Sequence, residues 1–147
     1  AIQLLRNHRL WEVFLSEHLG FAWDKVHDIA EQLEHVRSSE LIARLGRFLG
    51  DPTIDPHGDP IPSHDLTIQP TGGTTFFAAK SGDSFTLVAA ADNQDLLAKL
   101  NAAKVSLGSE LVKVGKDKQG RQVMQVHGQS IAFSEVEAKQ LHVSLSH

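Results

Sequence analysis

The sequence has no cysteine and no tyrosine, and its five prolines all fall between residues 51 and 73. Without cysteine there are no disulfides and no thiolate metal sites, which fits a cytoplasmic protein. No apolar run is long enough to span a bilayer, and no basic stretch followed by an apolar one marks a secretory signal. No membrane partner is expected. Positive charge is also scarce. Fourteen Lys and Arg face 18 Asp and Glu, for a formal net charge of -4. A domain that grips nucleic acid by neutralising phosphates carries a basic surface, so the chain by itself is expected to be a poor DNA binder. Its basic residues are scattered, apart from Arg6 and Arg9.

Enzyme signatures are missing as well. There is no H-E-x-x-H, no glycine-rich phosphate loop and no G-x-S-x-G elbow. The nearest match is Glu31-x-x-Glu34-His35, which carries Glu where the inverted zinc-protease motif H-x-x-E-H starts with His. No catalytic residue and no small organic ligand are expected. What the chain does have is histidine: nine residues, of which His8, His18, His27, His35, His57 and His64 precede residue 65 in a carboxylate-rich stretch. Imidazole with carboxylate is a ligand set for divalent transition metals.

The length, 147 residues, suits one ordinary domain or two small ones, and 41% hydrophobic with 22% charged residues is a globular composition. Ile2, Leu5, Trp11, Phe14 and Leu15 recur with helical period over residues 2–18, and Gly20 ends that helix. A second helix is expected from Asp24 to Val36, with Asp24 in its first turn, where the helix dipole favours an acid. Ser38 or Ser39 caps a third, carrying Leu41, Ile42, Leu45, Phe48 and Leu49 and stopping at Gly50. The prolines make an extended connector that joins two domains or lines a site. Beyond Gly73 the pattern changes to strands at Thr75–Ala79, Ser84–Ala90, Val105–Val114, Gln122–Val126, Ile131–Phe133 and Leu141–Leu145. Asp92–Ala103 reads as a short helix, and Ser134 with Glu137 as a capping box. Short strands with little helix point to a small barrel of SH3-like type.

On the second helix His27, Glu31, Glu34 and His35 stand at i, i+4, i+7 and i+8, within an arc of roughly 100°. On the first, His8 and Glu12 are i, i+4 neighbours. A solvated charged face explains any one of these residues. Two His/Glu pairs on consecutive helices favour metal, since a cation turns the repulsion between Glu31 and Glu34 into attraction. Asp55 and His57, two apart in the extended connector and stiffened by Pro56, can face one side.

These residues carry a family resemblance. Residues 6–62 resemble the metal-binding and dimerisation domain of the diphtheria toxin repressor family, which includes iron-dependent regulators and manganese transport regulators. The matching strings are Arg6-Asn7-His8-Arg9-Leu10-Trp11-Glu12, Val26-His27-Asp28 through Glu31, Glu34-His35-Val36, and Leu49-Gly50-Asp51-Pro52 through Gly58-Asp59-Pro60-Ile61-Pro62. Residues 73–147 are similar to the SH3-like (FeoA-like) domain that ends many members. The resemblance implies an α+β chain: a helical metal-binding and dimerisation domain over 1–62, a proline-rich linker over 63–73 and an SH3-like β-barrel over 74–147.

It also implies ligands. Glu31, Glu34 and His35 match one family site, whose remaining ligands include a group near the N-terminus of a DNA-binding domain. His8, Glu12 and His27 match an ancillary site. Asp55 and His57 match connector ligands of some manganese-type members, and Asp92 is a candidate from the C-terminal domain. Iron-type members carry Cys at position 31 and manganese-type members Glu, so Glu31 implies Mn(II), with Fe(II) second and Zn, Co or Ni as substitutes. The implied function is the sensing and dimerisation part of a repressor of metal-uptake genes. It acts as a homodimer through the first and third helices, with Trp11, Phe14, Leu41, Leu45 and Phe48 as candidate contacts. Operator DNA would be gripped only by an N-terminal winged helix-turn-helix of about seventy residues, expected to be missing from this chain. The alternatives are a metal-dependent hydrolase with Glu31 or Glu34 as general base, and a cytoplasmic regulatory domain of a metal-transport permease.

Overall fold

A computed structural model describes residues 1–146 and divides the chain into two units, Ala1–Pro70 and Thr71–His147. The architecture is α+β: three helices and a folded connector, then an antiparallel sheet with two short helices. Among the described residues no helix is long and apolar enough to cross a membrane.

In the first unit α1 (Ile2–Glu17) is the central element. Leu10 and Val13 pack with Ile42 and Leu45 of α3 (Ser39–Phe48) and Ile61 of the connector. Leu15 packs with Val26 and Ala30 of α2 (Val26–Leu33), and Trp11 touches both clusters. Ser38 adopts extended backbone and its hydroxyl accepts from the amide of Leu41 at 3.1 Å, capping α3. The α1–α3 contact is close: a Cβ at Gly46 would stand 3.2 Å from the Arg6 guanidinium.

The second helix is shorter than the expected Asp24–Val36. Asp24 lies in a turn ahead of it, and Glu34 and His35 lie beyond its end. Tertiary context overrides the local pattern here. The amide of Val36 turns back to the carbonyl of Leu33 at 3.0 Å, and extended Ser38 opens α3 two residues later. Val36 is consequently exposed instead of facing a core.

The connector does not hang free. Arg6 donates to the carbonyl of Pro62 at 2.6 Å, and Arg9 donates to the carbonyl of Pro60. Ile54 and Pro60 form a β-bridge, and the amide of Asp55 donates to the carbonyl of Asp59 at 2.9 Å. Residues 54–60 are therefore a closed loop held against α1.

In the second unit the strands are β1 (Thr74–Thr75), β2 (Ser84–Ala90), β3 (Glu110–Lys116), β4 (Gln122–Val126), β5 (Gln129–Phe133) and β6 (Leu141–Leu145). Their order is β1-β6-β2-β3-β4-β5, all antiparallel, with β1 and β5 at the two edges. α4 (Gln94–Ala102) follows β2, and α5 (Glu135–Lys139) precedes β6. Phe76, Leu87, Leu96, Leu97, Leu100, Met124, Phe133 and Leu141 are fully buried.

Two expected strands are trimmed. The Thr75 hydroxyl accepts from the amide of Ala78 at 3.1 Å and turns the chain out of β1. Residues 103–109 turn through Lys104 (φ 60°) and Gly108 (φ 90°), so β3 starts at Glu110, not Val105. Gly73 (φ 75°) is required as glycine, since a Cβ there would meet the carbonyl oxygen of Val143 at 2.4 Å. Buried Lys113 donates to the carbonyls of Phe77 and Ala79 at 2.8 and 2.7 Å, tying the segment after β1 to β3.

Leu10→Ala, at a site with no exposure, is expected to lower unfolding stability by about 2–5 kcal/mol, read from urea denaturation; a loss below about 1 kcal/mol would contradict this packing. A pH dependence follows from Glu137. Burial pushes its carboxyl up, but the Ser134 amide and Lys99 at 3.1 Å more than offset this and leave it below its ordinary 4.5. A depressed folded value means its contribution is present above 4.5 and is lost as pH falls through the folded value. Glu137→Gln should lower the Tm at neutral pH and flatten its decline on acidification; an unchanged acid slope would refute the assignment.

Candidate metal centre

α1 sets His8 and Glu12 one turn apart, with Glu12 only 1% exposed. A carboxylate so deep is stable only with donors or a cation around it. The connector supplies the rest. Asp55 Oδ1 accepts from the amides of His57 and Asp59, both at 2.9 Å, which fixes the loop and turns Oδ2 toward His57 Nδ1 at 3.7 Å. His57 is fully buried, with Nε2 2.6 Å from the carbonyl oxygen of Trp23. A carbonyl only accepts, so Nε2 carries a hydrogen and Nδ1 is the nitrogen that a metal ion would take in place of a proton. Nδ1 faces Glu12 Oε2 at 3.6 Å. Glu12, Asp55 and His57 thus place three donor atoms within 4.8 Å of one another, all buried.

Burial raises the Asp55 carboxyl, but His57, Glu12 and the Asp59 amide outweigh it and hold Asp55 below its ordinary 3.8. Arg9 Nε stands 3.9 Å from Asp55 Oδ2, so the same arginine that anchors the loop also tempers its charge.

A second group adjoins the first. His8 Nδ1 lies 3.0 Å from Glu34 Oε2 and Nε2 lies 3.4 Å from Glu12 Oε2. The carboxylate of Glu34 fixes the hydrogen on Nδ1 and aims Nε2 at Glu12, the arrangement in which an outer carboxylate orients a metal-binding imidazole. His8, Glu12 and His27 have donor atoms within 4.8 Å of one another, and the His8 and His27 rings are 5.0 Å apart. His27 also approaches Glu31 Oε2 at 3.8 Å and, with Asp28 and Glu31, makes an exposed third group. An open cleft of about 300 Å³ is lined by His8, His27, Glu31 and Glu34.

Of the residues singled out from the sequence, the structure brings together His8, Glu12 and His27, and separately Glu12, Asp55 and His57. Glu31, Glu34 and His35 do not make one group among the described residues. The reason is the early end of α2: Glu34 lies with His8 and, at 3.7 Å, His35, while Glu31 stays on the helix with His27. Asp92 belongs to the second unit, between β2 and α4. Residue-type reasoning did not reach the Trp23 carbonyl, the anchoring role of Arg9 or the presence of Asp28 in the exposed group. The pairing of Arg6 and Arg9 in an acidic chain was the available signal for the second.

The donors fit a divalent ion. Cis ligands at about 2.2 Å from an ion stand roughly 3.1 Å apart, close to the 3.4–3.7 Å separations of the donor atoms around Glu12 and Asp55. Oxygen with imidazole nitrogen, and no sulfur, suits Mn(II) or Fe(II).

Residues 1–63 match the family described as "Iron dependent repressor, metal binding and dimerisation domain". The diphtheria toxin repressor of Corynebacterium efficiens is 32% identical over 142 residues, covering 89% of this chain and 61% of its own length. A probable metal transport system membrane protein of Chlamydia trachomatis is 47% identical over 62 residues, 42% of this chain and 14% of that protein. The chain therefore spans less than two thirds of either curated relative. A solved structure described as a manganese-dependent transcriptional repressor superposes with a TM-score of 0.86 at 33% identity, covering all of this chain and 82% of the other. Shared sequence along nearly the whole chain, a shared fold and the matched metal-binding domain place this protein in the iron-dependent repressor family, to which the diphtheria toxin repressors belong.

Proposed function

We propose that this chain is the metal-sensing and dimerisation module of a metal-dependent transcriptional repressor that controls metal uptake, with Mn(II) the favoured effector and Fe(II) the second. The buried Glu12–Asp55–His57 group carries the reading, because His57 is held as a ligand by the Trp23 carbonyl without any metal being needed to order it. His8, Glu12 and His27 supply a second ligand set, oriented by Glu34. Glu31, Glu34 and His35 would form a further site only with a group outside these 147 residues, and Asp92 is proposed as a ligand on the family resemblance. When bound, the ion supplies a fixed positive centre tying the connector loop to α1. A ligand that prefers one conformation shifts the population toward it.

In this reading the chain works as a homodimer in the cytoplasm, contacts operator DNA only through a helix-turn-helix domain outside this sequence, and catalyses nothing. Its second unit serves as the SH3-like module, although the strand order leaves β1 and β5 unpaired with each other and the expected barrel is an open sheet among the described residues. Phe48 is 63% exposed and packs at a tilt against the rings of Phe14 and His18, and Leu41 is 40% exposed. These apolar residues of α1 and α3 form the proposed dimer face. Leu45 is instead part of the unit's own core.

The match to a transport-system membrane protein favours a second reading, in which the same module regulates a metal-transport permease. Both readings use the same ligands. The sequence of the whole protein separates them, a winged helix-turn-helix against membrane spans.

Calorimetric titration with Mn(II) should show saturable binding without hydrolytic turnover, and Glu34→Gln should weaken it about 10–100-fold with the Tm of the metal-free protein little changed. Absence of saturable binding would end the sensor reading, and metal-dependent hydrolysis would favour an enzyme. Phe48→Asp should shift the protein from dimer to monomer in sedimentation equilibrium; an unaltered dimer would place the interface elsewhere.

A further inference from the structure

Five of the six histidines in the first unit stand within 3.8 Å of a carboxylate. His18 is the exception. Its ring stacks on Phe14 at 5.7 Å between centroids and tilts against Phe48 at 4.7 Å. Among the described residues its imidazole makes no hydrogen bond or ion pair. His18 and Phe48 are both exposed. Leu41, two turns before Phe48 on the same side of α3, is exposed as well. A titratable group with no acid partner thus stands within the apolar face of α1 and α3.

We propose that His18 makes self-association through this face pH-dependent: two copies of the chain pair while the imidazole is neutral and separate as it gains a proton. The inference rests on the homodimer reading above and deepens it by naming the residue that regulates the face.

The direction follows from what pairing changes. In a single copy the imidazolium is supported in three ways. His18 is the C-cap of α1, whose last turn has no basic residue, and Phe48 is the last residue of α3; a helix C-terminus favours a cation. The faces of phenyl rings favour one too, and water reaches the exposed ring. Pairing removes the water and leaves the other two supports as they were. That loss penalises the charged form far more than the neutral one. The charged residues of the elements that meet here do not offset it. Glu17 is turned about 100° away from His18 around α1. On α3, Arg44 is paired with Glu40 at 3.1 Å, and Arg47 in the last turn adds positive charge. Asp51, beyond α3, is paired with His64 at 3.5 Å. In the loop after α1, Asp24 and Lys25 lie past Phe21, next to α2. A two-fold dimer buries the same patch on both chains, so two imidazoles lose their water at once and the effect of protonation is doubled.

The test is sedimentation equilibrium of the 147-residue chain across a concentration series, with chelator present so that pH-dependent metal binding does not enter. From about pH 7.5 to about pH 5.5, within the span where imidazoles change charge, the dissociation constant should rise about tenfold or more. His18→Gln, neutral at every pH, should hold the dimer and flatten this dependence. His127→Asn, on the exposed turn between β4 and β5 at a φ of 50° that Asn tolerates, should keep it. Circular dichroism should show the same helix content at both ends of the range; helix loss on acidification would assign the release to unfolding and overturn the switch. A dimer whose dissociation constant is constant or falls on acidification, or a His18→Gln variant that keeps the dependence, would overturn the switch and leave the homodimer reading standing. A monomer at every pH would overturn both.

Discussion

The clamp between α1 and the connector loop is the constraint on which the rest of the first unit depends. Arg6 and Arg9 leave α1 one turn apart and donate to the carbonyls of Pro62 and Pro60, residues that lack amides and would otherwise have little to hold them. With those carbonyls anchored, the loop from Ile54 to Pro60 closes on itself and carries Asp55 and His57 down onto Glu12. The prolines limit the conformations the loop can lose on folding, so rigidity and charge act together. Remove the clamp and three buried polar groups lose their common environment.

This clamp also explains why an acidic chain spends its paired arginines internally. Arg6 is 6% exposed and lies against Gly46 of α3, so its guanidinium joins α1, α3 and the connector at one point. Arg9 balances part of the charge that Glu12 and Asp55 concentrate in the interior. Neither is available to phosphate as an exposed patch would be.

The candidate metal ligands are distributed over a rigid helix, a short helix and a closed loop. Every imidazole nearest Glu12 has its other nitrogen accounted for: His57 by the Trp23 carbonyl, His8 by Glu34. Such outer contacts decide tautomer and direction, and so decide whether a histidine is a ligand or simply a polar residue. Glu34 is the instructive case. By residue type and spacing it belongs with Glu31 and His35, but the end of α2 at Leu33 leaves it beside His8, where it orients a candidate ligand.

By itself the sequence determined the periodic elements and the chemistry. Helical spacing placed α1 and α3, alternation placed β2, β4 and β6, and the Ser134–Glu137 box fixed α5, because these depend on local geometry alone. It also offered His8, Glu12, His27, Glu31, Glu34, His35, Asp55, His57 and Asp92 as candidate donors, since few residue types can bind a hard divalent ion. The tertiary structure alone decided how those donors group. The end of α2, the shortened β1 and β3, and the meeting of Asp55 with Glu12 across more than forty positions all follow from reversals and anchors between distant segments. Spacing along a helix encodes a face, and it carries no information about which other segment will be pressed against it.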